Sequence, residues 1–233
     1  MIKSFIFKFF FFFGILFICI LFIPALFLPK KFVQFGGKLM GHWCSISLKF
    51  FLSTKIIVNG KENIINDQKF FIACSHQSMF ETFFLQTIFN SPIFILKKEL
   101  LKIPIFGSYL KKIDSISIDR NKISKDNLNF SEQIRFAVKN SNRPIIIFPQ
   151  GTRTLPSEKV PFKKGVGRIY KDLNIFCQPV AVNSGHVWPK NGYLKSNKII
   201  NVSILKPISP GLSSEDFLKF LENDIYNELD KFN

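Results

Sequence analysis

The amino-acid sequence predicts an α/β protein with a central mixed sheet flanked by helices and an N-terminal membrane-associated helical segment. After residue 52, short apolar or β-branched runs alternate with amphipathic helical candidates. Near the N-terminus lies a run of twenty uncharged, mostly apolar residues. A length of 233 residues suits one α/β domain plus an appendage. We therefore expect N-terminal membrane-anchoring helices over 1–52 and an α/β domain over 53–233.

The uncharged run covers residues 9–28 and is flanked by lysines on both sides. A helix of this length spans about 30 Å, the hydrocarbon thickness of a bilayer. A cleaved signal peptide is the alternative, but its apolar region is usually shorter and is followed by small residues, whereas FLPKK follows here. Pro24 can kink the helix and the flanking charges are symmetric, so a spanning helix and a hairpin held in one leaflet both stay open.

Residues 32–52 predict a second helix. Apolar residues are mixed with Lys38, His42 and Lys49, and Trp43 lies among them. This pattern is typical of a helix near the lipid headgroups. A helix packed on the soluble domain would show the same apolar face, so both environments stay open.

The rest of the chain predicts seven strands and four helices. Apolar, β-branched or aromatic runs predict strands at KIIV (55–58), KFFIAC (69–74), PIFIL (92–96), SISI (115–118), PIIIF (144–148), QPVAV (178–182) and IINVSIL (199–205). Helical candidates cover 79–89, 125–139, 164–173 and a last segment that starts near Ser213 or Ser214. In that segment an apolar stripe recurs every four residues, at Phe217, Leu221, Ile225 and Leu229. Strands separated by helices favour an α/β sheet domain.

Charge and cysteine usage narrow the classes of partner. Thirty-two Lys and Arg against sixteen Asp and Glu leave a net charge of +16, which favours anionic partners such as phospholipid surfaces, phosphorylated substrates or an acidic carrier protein. The lysines are dispersed and no nucleic-acid-binding signature is present, so we expect no nucleic acid. The four cysteines lie far apart without a CxxC pair or clustered histidines, which indicates neither a zinc site nor a disulfide framework.

The stretch SHQSMFET (75–82) places His76 five residues before Glu81, in the turn after a predicted strand. The carboxyl ends of such strands commonly carry the sites of α/β sheets. One interpretation is a dyad, in which the imidazole accepts a proton from a substrate hydroxyl and the carboxylate orients the ring. The other is a capping box, in which Glu81 accepts from the backbone N–H of Ser78. Residues five apart on a helix point about 140° apart, so the dyad requires His76 to lie in the turn.

Two arginines end other predicted strands. In FPQGTR (148–153), Gly151 permits a close backbone approach and Arg153 can bind a phosphate bidentately, although an ordinary turn with a solvated arginine fits as well. In IDR (118–120), Arg120 is a second phosphate candidate, or the structural ion-pair partner of Asp119.

Together these motifs resemble the 1-acylglycerol-3-phosphate acyltransferase family, the phospholipid-synthesis enzymes with an HxxxxD motif. His76 to Glu81 is similar to its first block, and KKELLKIPIFG (97–107) with SISIDR (115–120) to its second. FPQGTR with FKKG (162–165) is similar to the third block and QPVAV to the fourth, so that order and spacing agree over 55–205.

The resemblance implies that His76 deprotonates the free hydroxyl of a lysophospholipid, which attacks the thioester of acyl-CoA or acyl carrier protein directly, without a metal or cofactor. Glu81 would orient His76. The implied substrate-binding residues are Lys97, Arg120, Gln150, Gly151, Thr152 and Arg153, of which Lys97 is the weaker phosphate ligand. The resemblance also implies a place at the bacterial inner (cytoplasmic) membrane, with the catalytic domain facing the cytoplasm.

The sequence departs from the family pattern at two positions. Glu81 stands where the first block usually has Asp, and Gln150 where the third block usually has Glu. HQSMFET and FPQGTR, together with NSGHVWP (183–189), resemble a bacterial subgroup. Acylation of another lysolipid, such as a lyso-ornithine lipid, and a non-catalytic membrane lipid-binding protein are the alternatives.

Overall fold

The computed structural model describes residues 1–118 and 125–232, and the side chains of all of these except 125–129. In this part of the chain there are seven strands: β1 (Lys55–Asn59), β2 (Phe70–Cys74), β3 (Ile93–Lys97), β4 (Ile116–Ile118), β5 (Ile145–Ile147), β6 (Phe176–Val182) and β7 (Ile199–Ile204). Their order in the sheet is β1-β7-β6-β2-β5-β3-β4. The pairs β1–β7, β2–β6 and β3–β4 are parallel and β6–β7 is antiparallel, so the predicted mixed sheet is confirmed.

The described residues also form seven α-helices: α1 (Ile2–Leu21), α2 (Lys30–Leu52), α3 (Phe80–Ile88), α4 (Phe106–Lys112), α5 (Lys125–Asn140), α6 (Lys164–Leu173) and α7 (Ser214–Asp230). The four helices predicted after residue 52 are present, with α6 at its predicted bounds. Helix α4 was not predicted, because two turns are too short to show a helical period.

The apolar run over 9–28, for which the sequence predicts a helix that Pro24 can kink, does not form one helix in the structure. Helix α1 ends at Leu21, and Pro24 lies in a 3₁₀ turn over Ile23–Leu26. Proline has no backbone N–H to donate and its ring clashes with the carbonyl four residues earlier, so it ends a regular helix. The predicted second helix is confirmed as α2.

Helices α1 and α2 form an antiparallel hairpin. About halfway along both helices the Trp43 indole donates to the carbonyl of Phe11 at 3.1 Å. Near the turn, the rings of Phe22 and Phe35 lie 6.1 Å apart. Because later residues of α2 meet earlier residues of α1, the chain reverses direction between them.

The chain divides into two compact units. The first consists of Met1–Ile6, Leu48–Glu81 and Ile146–Asn233, and the second of Phe7–Ser47 and Thr82–Ile145. In the first unit the predicted stripe of α7 is buried, and Phe217 stacks on Tyr170 of α6 with ring centroids 3.8 Å apart. In the second unit, the Arg143 guanidinium donates to the carbonyls of Ser91 and Ile113, which lie just before β3 and β4.

Candidate active site

The carboxyl ends of two neighbouring strands bring the candidate site together. Strands β2 and β6 run parallel, with Cys74 opposite Val180, and the Ser75 N–H donates to the Val180 carbonyl at 3.0 Å. Parallel strands end at the same edge of a sheet. The residues that follow β2, from Ser75 onward, therefore lie beside those that follow β6, from Asn183 onward.

His76 makes three contacts with the FPQGTR loop and with Thr154, which directly follows it. Its backbone N–H donates to Gln150 Oε1 at 3.2 Å, and its carbonyl accepts from the Thr154 N–H at 2.9 Å. Its ring stacks on Phe148, with centroids 4.0 Å apart and planes 18° apart. The imidazole is thus held in one orientation, while 15% of its side chain stays exposed. Gln150 is a hydrogen-bond acceptor at this site. Its amide oxygen accepts the bond without placing a charge in the buried interior.

Glu81 lies beside His76 and is completely buried. The distance between His76 Nδ1 and Glu81 Oε2 is 3.4 Å. The same carboxylate accepts from the backbone N–H groups of Gln77 at 3.2 Å and Ser78 at 3.1 Å. The predicted capping contact and the predicted approach to the imidazole are therefore present together.

The start of α3 explains how one carboxylate serves both contacts. The Ser78 hydroxyl accepts from the Phe80 N–H at 2.9 Å, so Ser78 caps the helix and Glu81 lies in its first turn. His76 precedes the cap and lies in the turn, as the dyad requires. The turn folds the imidazole back over the carboxylate, which a regular helix could not do.

Sequence reasoning missed a third side chain at the carboxylate. The Ser184 hydroxyl donates to Glu81 Oε1 and accepts from the Ser78 hydroxyl at 2.9 Å. Ser184 belongs to NSGHVWP, which the sequence singled out only as a subgroup feature. The sequence feature that could have identified Ser184 is its position directly after β6. The pairing of β6 with β2, which brings it to Glu81, is not visible in the sequence.

Further hydrogen bonds connect the segment after β6 to the turn after β2. The Ser75 hydroxyl donates to the carbonyl of Val182 at 3.2 Å and accepts from its N–H at 2.8 Å. The Gly185 N–H donates to Gln77 Oε1 at 3.0 Å. The turn after β2 and the segment after β6, which lie on the two sides of Glu81, are therefore held at a fixed distance from each other.

Replacing Gly185 with alanine is expected to lower the free energy of unfolding by about 1–3 kcal/mol, because the pocket has no room for a methyl group. A Cβ there would lie 2.9 Å from the Pro156 ring and 3.0 Å from Gln77 Oε1. Denaturant unfolding measures the change. The matched control is Gly165→Ala on α6, where no atom lies within 4 Å and stability should be unchanged or higher. Equal stability of both variants would contradict a tight fit at Gly185.

The FPQGTR loop needs its glycine and presents its arginine. Gly151 has φ +74°, in the left-handed region where side chains are strained, and a Cβ would lie 3.3 Å from Lys163 Cγ. Arg153 is half-buried and directly precedes Thr154, which binds the His76 carbonyl. Its guanidinium makes no hydrogen bond or ion pair to any residue that the structure describes.

The remaining predicted site residues lie in several places. Thr152 follows Gly151 with an exposed side chain, and the exposed Lys97 ends β3 in the second unit. Arg120 and its neighbour Asp119 lie outside the described residues, so the structure gives no account of them.

The surroundings of His76 favour proton transfer over a covalent intermediate. The hydroxyls of Ser78 and Ser184 belong to completely buried residues and are engaged with each other. Burial, and secondly the negative charge of Glu81, raise the pKa of the Cys74 thiol well above its usual range, so it stays protonated and unreactive. A positioned imidazole with a buried carboxylate beside it remains as the candidate reactive group.

A family model described as Acyltransferase matches residues 55–183. The chain belongs to the acyltransferase family. It is similar to a 1-acyl-sn-glycerol-3-phosphate acyltransferase from Pseudomonas aeruginosa, with 31% identity over 70% of this chain and 64% of that protein. The chain thus spans less than two thirds of this relative's length.

Two further proteins are similar to this chain. A 1-acyl-sn-glycerol-3-phosphate acyltransferase from Helicobacter pylori is 31% identical, over 67% of each chain. The crystal structure of the 1-acyl-sn-glycerophosphate (LPA) acyltransferase PlsC from Thermotoga maritima has a TM-score of 0.81, over 100% of this chain and 98% of that one, at 21% identity. The predicted fold is therefore shared along the whole chain.

Proposed function

We propose that this chain transfers a fatty acyl group from a thioester donor to the free hydroxyl of 1-acylglycerol-3-phosphate, giving phosphatidic acid for phospholipid synthesis. The observation that carries the proposal is the pair formed by a partly exposed His76 and a completely buried Glu81, 3.4 Å apart. Membership of the acyltransferase family and the names of the relatives support the acyl group and the acceptor.

In the proposed reaction His76 acts as the general base. Nδ1 faces the Glu81 carboxylate and is the nitrogen that keeps its proton, so Nε2 accepts the proton of the acceptor hydroxyl. The hydroxyl oxygen attacks the thioester carbonyl, an ester C–O bond forms, and the C–S bond breaks. The thiolate of coenzyme A or of acyl carrier protein leaves and receives the proton from the imidazolium, which the Glu81 carboxylate stabilises in the meantime.

Arg153 is the described residue best placed to bind the acceptor's phosphate. The loop bonds at Gln150 and Thr154 hold it next to His76, and its guanidinium has no partner among the described side chains. Arginine binds phosphate with two parallel charge-assisted hydrogen bonds. Arg120, Lys97 and Thr152 remain proposed ligands on the strength of the family pattern.

Replacing Arg153 with alanine is expected to raise the KM for lysophosphatidic acid about 10- to 100-fold, with a smaller effect on kcat. The phosphate does not react, so its binding stabilises the ground state and the transition state alike. Steady-state kinetics with a saturating donor measure the effects on KM and kcat separately. The control is Arg168→Ala, which removes one positive charge from an exposed position on α6. An unchanged KM in Arg153→Ala would exclude Arg153 as a phosphate ligand.

We also propose that the α1–α2 hairpin holds the enzyme at a membrane. Helix α1 is long and apolar enough to cross a bilayer, the one such helix in the described ranges. One face carries buried Phe7 and Phe11, whereas Phe9, Phe13 and Phe17 are each more than half exposed. A phenylalanine surface of this kind suits lipid. We further propose that in a bacterial cell the protein lies at the inner membrane, with its site on the cytoplasmic side, where the thioester donors are.

Acyl transfer from labelled acyl-CoA to a panel of lysolipids tests the proposal, with membranes that contain the wild type or His76→Ala at matched protein levels. We expect transfer to lysophosphatidic acid that is lost in the variant. Transfer only to another acceptor, such as a lyso-ornithine lipid, would replace the proposed substrate. No transfer from either acyl-CoA or acyl carrier protein would overturn the proposed activity and favour a lipid-binding role.

A further inference from the structure

Three hydrogen-bond donors of the protein point toward the Glu81 carboxylate. Two are the backbone N–H groups of Gln77 and Ser78, which belong to the same turn. The third is the Ser184 hydroxyl, which comes from the segment after β6, more than one hundred residues later in the chain. Because every one of these groups donates, both carboxylate oxygens act as hydrogen-bond acceptors in this pocket.

The hydroxyls of Ser78 and Ser184 form a directed chain. The Phe80 N–H donates to Ser78 Oγ at 2.9 Å, which fixes the Ser78 hydrogen toward Ser184 Oγ, also at 2.9 Å. Ser184 then has its own hydrogen left for Glu81 Oε1. Hydrogen bonds in series polarise one another, so the last donor in the chain is strengthened. The alternative bond from Ser78 directly to Glu81 is longer, at 3.4 Å.

The two carboxylate oxygens are occupied in different ways. Oε1 receives the Gln77 N–H and the Ser184 hydroxyl, whereas Oε2 receives the Ser78 N–H and faces His76 Nδ1 at 3.4 Å. Rotation about the last side-chain bond of Glu81 would exchange the oxygens or turn both away from the imidazole. Since the backbone donors all lie on the turn, Ser184 is the donor that fixes this rotation from the opposite side.

Glu81 has one methylene more than the aspartate usual at this position of the family, and therefore one more rotatable bond. A longer arm in a completely buried pocket needs an additional contact to keep a single orientation. Ser184 has no exposed surface and is held in place by the neighbouring bond from Gly185 to Gln77. Its hydroxyl is therefore preorganised before any substrate binds.

We propose that Ser184 is a positioning residue of this enzyme, which holds the Glu81 carboxylate turned toward His76. The inference rests on the proposed function, since it assigns a role in the same proton transfer. Ser184 does not contact the reacting atoms. It acts through Glu81, and its loss misplaces the partner of the base.

The test compares kcat and KM of the full-length membrane-bound protein carrying Ser184→Ala with the wild type, using labelled acyl-CoA and lysophosphatidic acid. We expect kcat to fall about 10- to 100-fold, because a charge-assisted hydrogen bond is lost, with both KM values within about twofold. The control Ser47→Ala removes a completely buried hydroxyl that has no partner among the described residues, and kcat should stay at the wild-type value.

A double-mutant cycle separates positioning from a general structural role. In the Glu81→Gln background, Ser184→Ala is expected to lower kcat less than twofold further, because the group that it positions is already lost. Fully multiplicative losses would overturn the proposal, since Ser184 would then act independently of Glu81.

Ser184→Cys keeps the inference testable if the alanine variant does not fold. The thiol is a weaker donor of similar shape, so kcat should lie between those of the alanine variant and the wild type. Wild-type kcat in a folded Ser184→Ala or Ser184→Cys protein would overturn the proposal. A wild type without any acyl transfer would instead overturn the proposed function, which keeps the two failures distinct.

Discussion

Replacing His76 with alanine is expected to lower kcat for acyl transfer about 10²- to 10⁴-fold, the range that a general base contributes. The imidazole is the partly exposed member of the pair; its ring stacks on Phe148, and Nδ1 lies 3.4 Å from the Glu81 carboxylate. Alanine keeps the backbone bonds of residue 76 to Gln150 and Thr154, so the loop should stay in place. Steady-state rates at saturating donor and acceptor measure the loss.

The KM values and the thermal unfolding temperature of the His76→Ala protein are measured in the same experiment. The KM values should change little, because the proposed role of the ring is proton transfer and not binding of the phosphate. The unfolding temperature shows whether the variant keeps its fold. The control is His42→Ala, which removes an exposed histidine from α2. A His76→Ala protein with more than a tenth of the wild-type kcat would contradict the assignment of the base.

Replacing Glu81 with glutamine is expected to lower kcat about 10²-fold or more and also to lower stability. The amide cannot stabilise an imidazolium, and its NH₂ group would face a donor wherever it is placed, since both carboxylate oxygens accept backbone N–H groups. An unsatisfied pair of buried donors costs about 1–3 kcal/mol. Kinetics and denaturant unfolding of the same preparation measure the two losses.

The two interpretations of Glu81 from the sequence make different forecasts for this variant. A cap alone would lose stability and keep the turnover of the folded fraction, whereas an orienting carboxylate would lose turnover with the fold retained. Because the structure joins both contacts in one carboxylate, we expect both losses together. The control Glu62→Gln removes a negative charge from an exposed position and should change neither. Wild-type kcat in Glu81→Gln would leave the cap as its only role.

Local sequence patterns were sufficient to predict the seven strands and most of the helices, although not the order of the strands in the sheet. All seven strands are runs in which Ile, Val or Phe predominate, and such runs are recognised without knowing their neighbours. The start of α7 at Ser214 follows from the Ser213 cap, whose hydroxyl accepts from the Asp216 N–H. The bounds of the N-terminal helix were wrong because Pro24 was expected to kink the helix, whereas the regular helix ends before it.

The candidate site was predictable in part. The capping geometry of Ser78 and Glu81 depends on residues three apart, so it is visible in the sequence. The stacking of Phe148 on His76 joins residues 72 positions apart, and the donation from Ser184 to Glu81 joins residues 103 positions apart. Long-range contacts of this kind depend on strand order, which no local pattern records.

The sequence by itself determined the α/β class, the apolar N-terminal segment, and the histidine and carboxylate that can act as a pair. These properties depend on hydrophobic period, on capping chemistry and on residue types at short spacing. Only the tertiary structure decided that α1 and α2 form a hairpin, that Glu81 both caps a helix and faces His76, and that Ser184 reaches its carboxylate. The physical reason is that β2 and β6 pair in parallel, which places two distant turns at one edge of the sheet, where their polar groups must satisfy each other away from water.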